Sequence, residues 1–448
     1  MDGLAVFIPG TVPGDVVEGV IESRKDRYAI GRVVRLIVPS SDRVRPFCKV
    51  ADRCGGCTLQ PMEYRAQLAF KRQQVISALT RIGGFENESV EPLVRPVLGM
   101  RIPRQYRSKV QFPVTGMPGR PKIGFYASRS HQVVDHDECD IQHPIANAVR
   151  AAIRQHMIEH GVEPYREATH DGLLRHIVVR IGFATGQVMV ILVINGEHYP
   201  AVETLIGALK TVMSESSHSI GRPFTLQSLY LNHHRQRSNL VLSDKLTLIM
   251  GEPQIEEQIL GIRYLISPLA FFQVNPAQTE VLYQTALDYA GLTSQETALD
   301  LYCGTGSISL LLARAARRVI GIEVVPQAIE DARVNAERNG LTGKASFLCG
   351  KAEDLLPKLV AEGLCADVAV VDPPRKGCDL ALLESIRTIR PSRLVYVSCN
   401  PATLARDLAV LAQNGLYQIQ AVQPVDLFPW TGHVETVVLM SRGEVGKA

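Results

Sequence analysis

The chain has 448 residues, 46% of them hydrophobic and 21% charged, and domains usually take about 150 residues each. We therefore expect several domains with sizeable cores, and the composition excludes a chain that is disordered throughout. The net charge of +3 does not by itself indicate a nucleic-acid partner. The longest aliphatic run, Val188–Ile194, is far shorter than the ~20 residues that span a bilayer, and the N-terminus lacks the pattern of a signal peptide. We expect a cytoplasmic protein that does not enter membranes.

Residues 1–47 are predicted to form a small β-barrel. Three short stretches, Leu4–Ile8, Val16–Glu22 and Tyr28–Leu36, have the composition of strands, and turn residues separate them. Short strands with Gly and Pro between them are typical of such barrels.

A group of cysteines follows these strands: Cys48, Cys54 and Cys57 lie on one predicted loop, and Cys139 comes much later. In a reducing compartment, cysteines favour metal or catalytic roles over disulfides. Three thiolates on one loop, with a fourth brought back by the fold, can hold either zinc or an iron–sulfur cluster. A redox pair of Cys54 and Cys57 is the alternative, but no strand–helix–strand pattern surrounds it.

The stretch 63–82 has apolar residues on one stripe and ends at Gly83, which predicts a helix. Residues 92–250 have the pattern of an α+β region. From Pro92 to Val134 there is no Asp or Glu, and basic and aromatic residues are interleaved: Arg95, Arg101, Arg104, Tyr106, Arg107, Lys109, Phe112, Arg120, Lys122, Phe125, Tyr126 and Arg129. These residue types suit phosphate contacts and base stacking, so the stretch predicts RNA binding, with a solvated charged face as the alternative.

From about residue 267 strands and helices alternate, which predicts a parallel, doubly wound sheet. A hydrophobic strand runs into a glycine-rich turn with Tyr302, Gly304 and Gly306, and the turn opens a helix. The glycines let a ligand approach the backbone, and the helix N-terminus offers free N–H groups. The next strand ends at Glu323, whose carboxylate can accept hydrogen bonds from two ribose hydroxyls. The combination indicates an S-adenosylmethionine site, with a dehydrogenase or a plain structural turn as alternatives.

Three side chains downstream are candidates for catalysis. Asp372 begins an Asp-Pro-Pro-Arg-Lys-Gly segment after a strand, and its prolines fix the backbone. Cys399 lies between a strand and a helix, where the helix N-terminus can lower the pKa of a thiol. Glu435 precedes the last predicted strand and can serve as a base. The alternatives are a structural turn for the first, a buried cysteine for the second and a surface carboxylate for the third.

Together these strings closely resemble the RNA uracil-C5 methyltransferases that carry an iron–sulfur cluster, and the 23S ribosomal RNA enzymes of that family in particular. The likeness covers nearly the whole chain. It implies an α/β protein with a C-terminal Rossmann-like class I methyltransferase domain, a small N-terminal β-barrel of the TRAM/OB type and an α+β central domain. The implied boundaries are 1–47, 48–260 and 261–448, with segment 61–91 packing on the catalytic domain. Because the barrel sequence starts late, we expect its first strand to be missing.

The resemblance also implies which residues act. A [4Fe-4S] cluster would be held by Cys48, Cys54, Cys57 and Cys139. The nucleophile would be Cys399 and the base Glu435. S-adenosylmethionine and the target base would be surrounded by Gln273, Tyr302, Gly304, Gly306, Glu323 and Asp372. The implied activity is methylation of C5 of a uridine in 23S ribosomal RNA by a monomer; the alternatives are transfer RNA as substrate, cytosine as target base, or a non-catalytic iron–sulfur RNA-binding factor.

Overall fold

The computed structural model describes residues 4–443, so residues 1–3 and 444–448, at the ends of the first and last predicted regions, lie outside it. The described chain forms four β-sheets and the helices that cover them. Within residues 4–443 there is no helix with the length and apolar character that a membrane crossing requires.

The first sheet is small and open. It consists of β1 (Ala5–Phe7), β2 (Val16–Arg24) and β3 (Tyr28–Val38), in the order β1-β3-β2. β1 runs parallel to β3, and β2 runs antiparallel to it. In the described residues no fourth strand joins this sheet, and three strands are too few to close on themselves. The predicted barrel is therefore an open three-stranded sheet here, with most of its side chains exposed.

A helical segment links this sheet to the centre of the molecule. It contains α1 (Tyr64–Arg81), α2 (Asn87–Val90) and a single 3₁₀ turn, Glu91–Leu93. The N-terminus of α1 is capped by Glu63, whose carboxylate accepts from the Ala66 N–H at 3.1 Å.

The central sheet has seven strands in the order β10-β9-β8-β7-β4-β5-β6. Its elements in chain order are β4 (Lys109–Met117), β5 (Arg120–Tyr126), β6 (Val133–Asp135), α3 (Pro144–Glu159), β7 (Leu174–Ile181), β8 (Gln187–Ile194), α4 (Val202–Ile220), β9 (Thr225–His233) and β10 (Leu246–Gly251). The two helices cover one face, where they bury alternate strand residues such as Val188, Val190 and Leu192. The opposite face buries Met189, Ile191 and other residues against the C-terminal half of the chain.

A hairpin of β11 (Ile255–Ile259) and β12 (Ile262–Ile266) then leads to the C-terminal sheet. That sheet has the strand order β15-β14-β13-β16-β17-β19-β18. Its elements are α5 (Pro276–Ala290), β13 (Thr297–Leu301), α6 (Ser307–Ala315), β14 (Arg318–Glu323), α7 (Pro326–Arg338), β15 (Ala345–Cys349), α8 (Ala352–Ala361), β16 (Val368–Val371), α9 (Leu380–Ile389), β17 (Arg393–Ser398), α10 (Pro401–Ala412), a 3₁₀ turn (Gln413–Gly415), β18 (Tyr417–Val425) and β19 (Glu435–Arg442).

The first five strands of this sheet are parallel, and β19 runs antiparallel to both of its neighbours. The strand order changes direction at β13 and β16, and ligands bind outside the carboxyl ends of strands at such a crossing point. The sheet is covered on both faces, as the predicted doubly wound arrangement requires. One of the two covering layers contains α1, whose Val75, Ile76 and Leu79 are buried beside α10 and β18.

Candidate active site

The glycine-rich turn follows β13 at the crossing point of the sheet. Tyr302, Gly304 and Gly306 all have positive φ angles, of 69°, 55° and 80°. A Cβ on Gly306 would lie 3.3 Å from atoms of Ala332 and Phe347, so a larger side chain would be both strained and crowded there. The turn thus brings bare backbone to the N-terminus of α6.

Glu323, at the end of β14, closes the same end of the crevice. Its carboxylate accepts hydrogen bonds from the Gly304 N–H at 3.2 Å and from the Val325 N–H at 2.9 Å. These bonds fix the carboxylate beside the glycine-rich turn. A carboxylate held there can accept hydrogen bonds from the ribose hydroxyls of a nucleoside ligand.

Three carboxylates lie together in poorly hydrated surroundings. Burial raises the pKa of Asp300 to about 6, although the Ser309 hydroxyl donates to it at 2.5 Å. Burial and then Asp300 raise the pKa of Asp372 to about 7. Burial and then Asp372 raise the pKa of Glu435 to about 8, against the opposite influence of Arg375. Like charges in a dry site disfavour one another, so each of these carboxyl groups binds its proton more tightly than an exposed one does.

Cys399, the first residue after β17, lies beside Glu435, the first residue of β19. β17 and β19 pair Ser398 with Thr436, so the next residue of one strand faces the previous residue of the other. Burial and then Glu435 raise the pKa of the Cys399 thiol, and Arg375 lowers it. The thiol is half-buried, whereas Glu435 is only 4% exposed.

The loop that carries Arg375 is tied to the N-terminus of α10. The Arg375 carbonyl accepts from the Asn400 side-chain amide at 3.1 Å and from the Thr403 hydroxyl at 3.2 Å. Asn400 also caps α10 by accepting from the Ala402 N–H at 3.1 Å. The guanidinium-bearing loop and the thiol are thereby fixed relative to each other.

A cavity of about 670 Å³ opens at Cys399. One wall is the exposed face of α1, with Phe70, Gln73, Gln74, Ser77 and Arg81 among its residues. Within residues 4–443 the lining includes Arg81 and Arg375 but no carboxylate, which favours an anionic ligand such as a nucleotide. The Oε1 atom of Gln74 is buried there without a hydrogen-bond partner.

Gln273 lies in the segment between β12 and α5. It is 8% exposed, and its backbone carbonyl accepts from the Ser108 hydroxyl at 3.5 Å. Asn275, two residues later, caps α5 and also donates from its amide to the Leu427 carbonyl at 2.9 Å. The segment is thus tied to the loop that leads to Glu435.

The four early cysteines line one cavity of about 450 Å³. Burial raises the pKa of the Cys57 thiol to about 12 and that of the Cys139 thiol to about 11. In the described part of the chain no three His, Cys, Asp or Glu side chains are grouped closely enough to hold a metal ion. The cavity nevertheless brings four thiols to one place, and four thiolates are the donor set that a [4Fe-4S] cluster takes.

The basic stretch from Pro92 to Val134 only partly suits base stacking. Tyr106 and Phe112 are 2% and 0% exposed, so they belong to the core and are closed to RNA. Tyr126 remains accessible at 37% and stacks on His131. Arg104 is exposed with its guanidinium 4.1 Å from the centre of the Phe47 ring. In this stretch the Arg104 guanidinium thus lies at the surface, whereas the Tyr106 and Phe112 rings lie in the interior.

Sequence reasoning did not assign the α1 wall or Arg375 to the site. Arg375 had a usable signal, since it follows directly on the Asp372-Pro-Pro segment. The residues of α1 had none, because their closeness to Cys399 arises only from tertiary packing.

The sheet order, the glycine-rich turn and the acid at the end of β14 define an S-adenosylmethionine-dependent methyltransferase with a Rossmann-like domain. Residues 244–443 match the model of a family described as tRNA (Uracil-5-)-methyltransferase. An uncharacterised RNA methyltransferase of Clostridium acetobutylicum is 43% identical over 99% of this chain and 93% of its own length. One from Halalkalibacterium halodurans is 45% identical over 98% of this chain and 93% of its own. The chain belongs to the RNA uracil-5-methyltransferase family.

A solved structure agrees over the whole length. The crystal structure of Pyrococcus abyssi tRNA (uracil-54, C5)-methyltransferase in complex with S-adenosyl-L-homocysteine is similar with a TM-score of 0.75 and 28% sequence identity. The match covers 98% of this chain and 96% of that one. The predicted α/β architecture with a Rossmann-like methyltransferase domain is confirmed.

Proposed function

We propose that the protein methylates C5 of a specific uridine in RNA, with 23S ribosomal RNA as the first candidate and transfer RNA as the second. The observation that carries the proposal is the pair of Cys399 and Glu435, which face each other beside Arg375 at the mouth of a cationic cavity. Transfer RNA stays a candidate because the similar Pyrococcus abyssi enzyme acts on uracil-54 of tRNA.

In the proposed reaction Cys399 begins the chemistry. The C5 carbon of uracil is a poor nucleophile, but addition of a thiolate to C6 forms an enolate whose C5 can attack a methyl sulfonium. Burial and Glu435 raise the pKa of the thiol, and Arg375 opposes that rise and so favours the reactive thiolate. The methyl group leaves the sulfonium for C5, and the sulfonium becomes a neutral thioether.

Glu435 completes the reaction. After methyl transfer, C5 still holds its proton, and the carbon–sulfur bond at C6 breaks only when that proton leaves. The carboxylate of Glu435 takes the proton, the C5–C6 double bond forms again and the thiolate is released. The raised pKa of Glu435 makes it a stronger base than an exposed carboxylate.

S-adenosylmethionine is proposed to lie between the glycine-rich turn and the carboxylates. Tyr302, Gly304 and Gly306 would give it bare backbone, and Glu323 would accept from its ribose. Gln273 and Asp372 would lie at the boundary between the cofactor and the target base. The base reaches the cavity at Cys399 only when it is unstacked, which a flipped or single-stranded uridine satisfies.

The test of this function combines product mapping with a covalent trap. We expect 5-methyluridine at one or more positions of the RNA of wild-type cells and its loss from cells without the protein; mapping ribosomal and transfer RNA separately identifies the substrate.

RNA containing 5-fluorouracil should form a denaturation-resistant adduct with the purified protein, because fluorine cannot leave as a cation. Cys399→Ala should abolish the adduct and keep S-adenosylmethionine binding, whereas Cys349→Ala, at an exposed cysteine, should behave as wild type. An adduct that persists in Cys399→Ala would show that another residue is the nucleophile.

We further propose that Cys48, Cys54, Cys57 and Cys139 hold a [4Fe-4S] cluster, which would order the loops around it and take no part in methyl transfer. The support is that all four thiols line one cavity. We also retain the division 1–47, 48–260 and 261–448, with 61–91 packing on the last region, as a proposal.

The cluster assignment predicts iron in the purified protein. Protein purified without oxygen should be brown and contain about four irons per chain. Cys139→Ala should lose the iron, and Cys365→Ala, at an exposed cysteine away from the cavity, should keep it. A colourless protein with one tightly bound zinc would contradict the assignment.

A further inference from the structure

The segment that leads into Glu435 is held by an unusual run of hydrogen bonds. We call residues 426–430 the anchored segment, because each of its five carbonyls accepts from a donor elsewhere in the chain. The bonds are Gln278 Nε2 to Asp426 at 3.1 Å, Asn275 Nδ2 to Leu427 at 2.9 Å, Lys71 Nζ to Phe428 at 3.1 Å, Tyr106 Oη to Pro429 at 3.1 Å and the Leu59 N–H to Trp430 at 2.9 Å.

A buried ion pair fixes the start of the anchored segment. The Lys71 ammonium lies 2.5 Å from a carboxylate oxygen of Asp426, and neither side chain is exposed at all. The other oxygen of Asp426 accepts from the Tyr64 hydroxyl at 2.7 Å. A movement that separated the two groups would leave both charges buried and uncompensated, which is strongly unfavourable. The pair therefore restricts the segment to one position.

The end of the anchored segment touches the wall of the cysteine cavity. Trp430 donates from its indole nitrogen to the Pro103 carbonyl at 2.5 Å, and its ring lies 5.0 Å from that of Phe47. It shares one apolar cluster with Tyr106 and Ile141, against which Cys57 and Cys139 pack. The same segment therefore contacts the cysteine region at one end and continues to Glu435 at the other.

We infer that the anchored segment positions Glu435, with Tyr106 as the positioning residue that joins it to the cysteine region. This rests on the proposed function, in which Glu435 removes the C5 proton. A general base must lie within hydrogen-bond reach of its proton, and Glu435 comes only five residues after Trp430. Loss of the hydrogen bond to the Pro429 carbonyl should therefore slow proton removal more than it slows thiol addition or methyl transfer.

Tyr106→Phe tests the inference, because it removes one hydroxyl and keeps the buried ring. The matched control is Tyr417→Phe: its hydroxyl donates to the Pro391 carbonyl at 2.9 Å, and its ring is also buried, at the far end of β18 from the anchored segment. We expect Tyr106→Phe to lower kcat by about tenfold, a modest part of the ~10²–10⁴-fold that a positioned base contributes. KM for S-adenosylmethionine should not change.

The readout that separates positioning from simple loss of structure is the covalent adduct with ordinary uracil RNA. Tyr106→Phe should trap several times more RNA per folded protein than wild type, since elimination is the step that slows. Tyr417→Phe should trap no more than wild type. Equal adduct in all three proteins would overturn the inference. Glu435→Gln is measured alongside: if it accumulates no adduct, the proposed base is wrong, and that failure is distinct from failure of the positioning role.

Discussion

At the scale of single residues, the site depends on removing carboxylates from water. Burial and then Asp372 raise the pKa of Glu435, which Arg375 offsets only in part, and burial and then Asp300 raise the pKa of Asp372. A carboxylate in this state costs stability when it ionises, and the role as a base that we propose for Glu435 is consistent with that cost.

This cost predicts how stability depends on pH. The pKa of Glu435 is raised from 4.5 to about 8 in the folded protein, so between those values the folded state holds a proton that the unfolded state has released. Stability should fall as pH rises through this window, and Glu435→Gln should remove that loss. We expect the variant to exceed wild type by on the order of a few kcal/mol at pH 9 and by little at pH 5, as measured by denaturant unfolding. A gap that does not widen with pH would contradict a buried, protonated Glu435.

The positions of single residues were also the easiest to predict from the sequence. Asp372 and Cys399 each follow a strand, and Glu323 ends one. Because the carboxyl ends of parallel strands meet at one edge of the sheet, their location in one crevice needed only the strand assignments. The contribution of α1 to the cavity at Cys399 was not predictable. No local sequence pattern shows which face of a helix will pack near the end of a distant strand.

At the scale of elements, the basic stretch divides into surface and interior positions. Arg104 is exposed, whereas Lys109 lines the cysteine cavity, and burial followed by Arg180 and Arg107 lowers the pKa of Lys109 to about 7. Two residues that are equivalent in the sequence pattern therefore differ in their access to RNA.

RNA binding should separate these two positions. Arg104→Ala should weaken RNA affinity and reduce the slope of log affinity against log salt by about 1, because one phosphate contact is lost. Lys109→Met should change that slope less than Arg104→Ala does, since the Lys109 amine lines the cysteine cavity and its lowered pKa reduces its charge. The measurement is RNA affinity over a series of salt concentrations. Identical slopes for wild type and Arg104→Ala would assign Arg104 to a solvated surface without RNA contact.

The individual strands of the first sheet were predicted better than the way in which they assemble. The strands of the first sheet occur close to where the turn residues indicated, yet turn chemistry does not reveal how many strands a sheet will gather, so the expected barrel is an open sheet in the described chain. Helix α4 was not among the predicted elements, although its buried residues Leu205, Leu209 and Met213 recur at helical spacing.

At the scale of the whole molecule, contacts between distant parts of the chain decide the geometry of the site. The ion pair of Lys71 and Asp426 joins residues 355 positions apart. Sequence patterns report local structure and say little about pairings of this range, which explains why the anchored segment could not be anticipated.

The burial of α1 among C-terminal elements has a consequence for how the chain folds as it is made. Val75, Ile76 and Leu79 meet partners on α10 and β18, which leave the ribosome more than three hundred residues later. Domains generally fold from the N-terminus onwards during synthesis, but this helix must wait with an apolar face uncovered until the last strands emerge. The polar face of the helix, which lines the cavity at Cys399 in the folded protein, can be hydrated during this interval. The wall of the active site is thus among the first parts to be synthesised and among the last to be put in place.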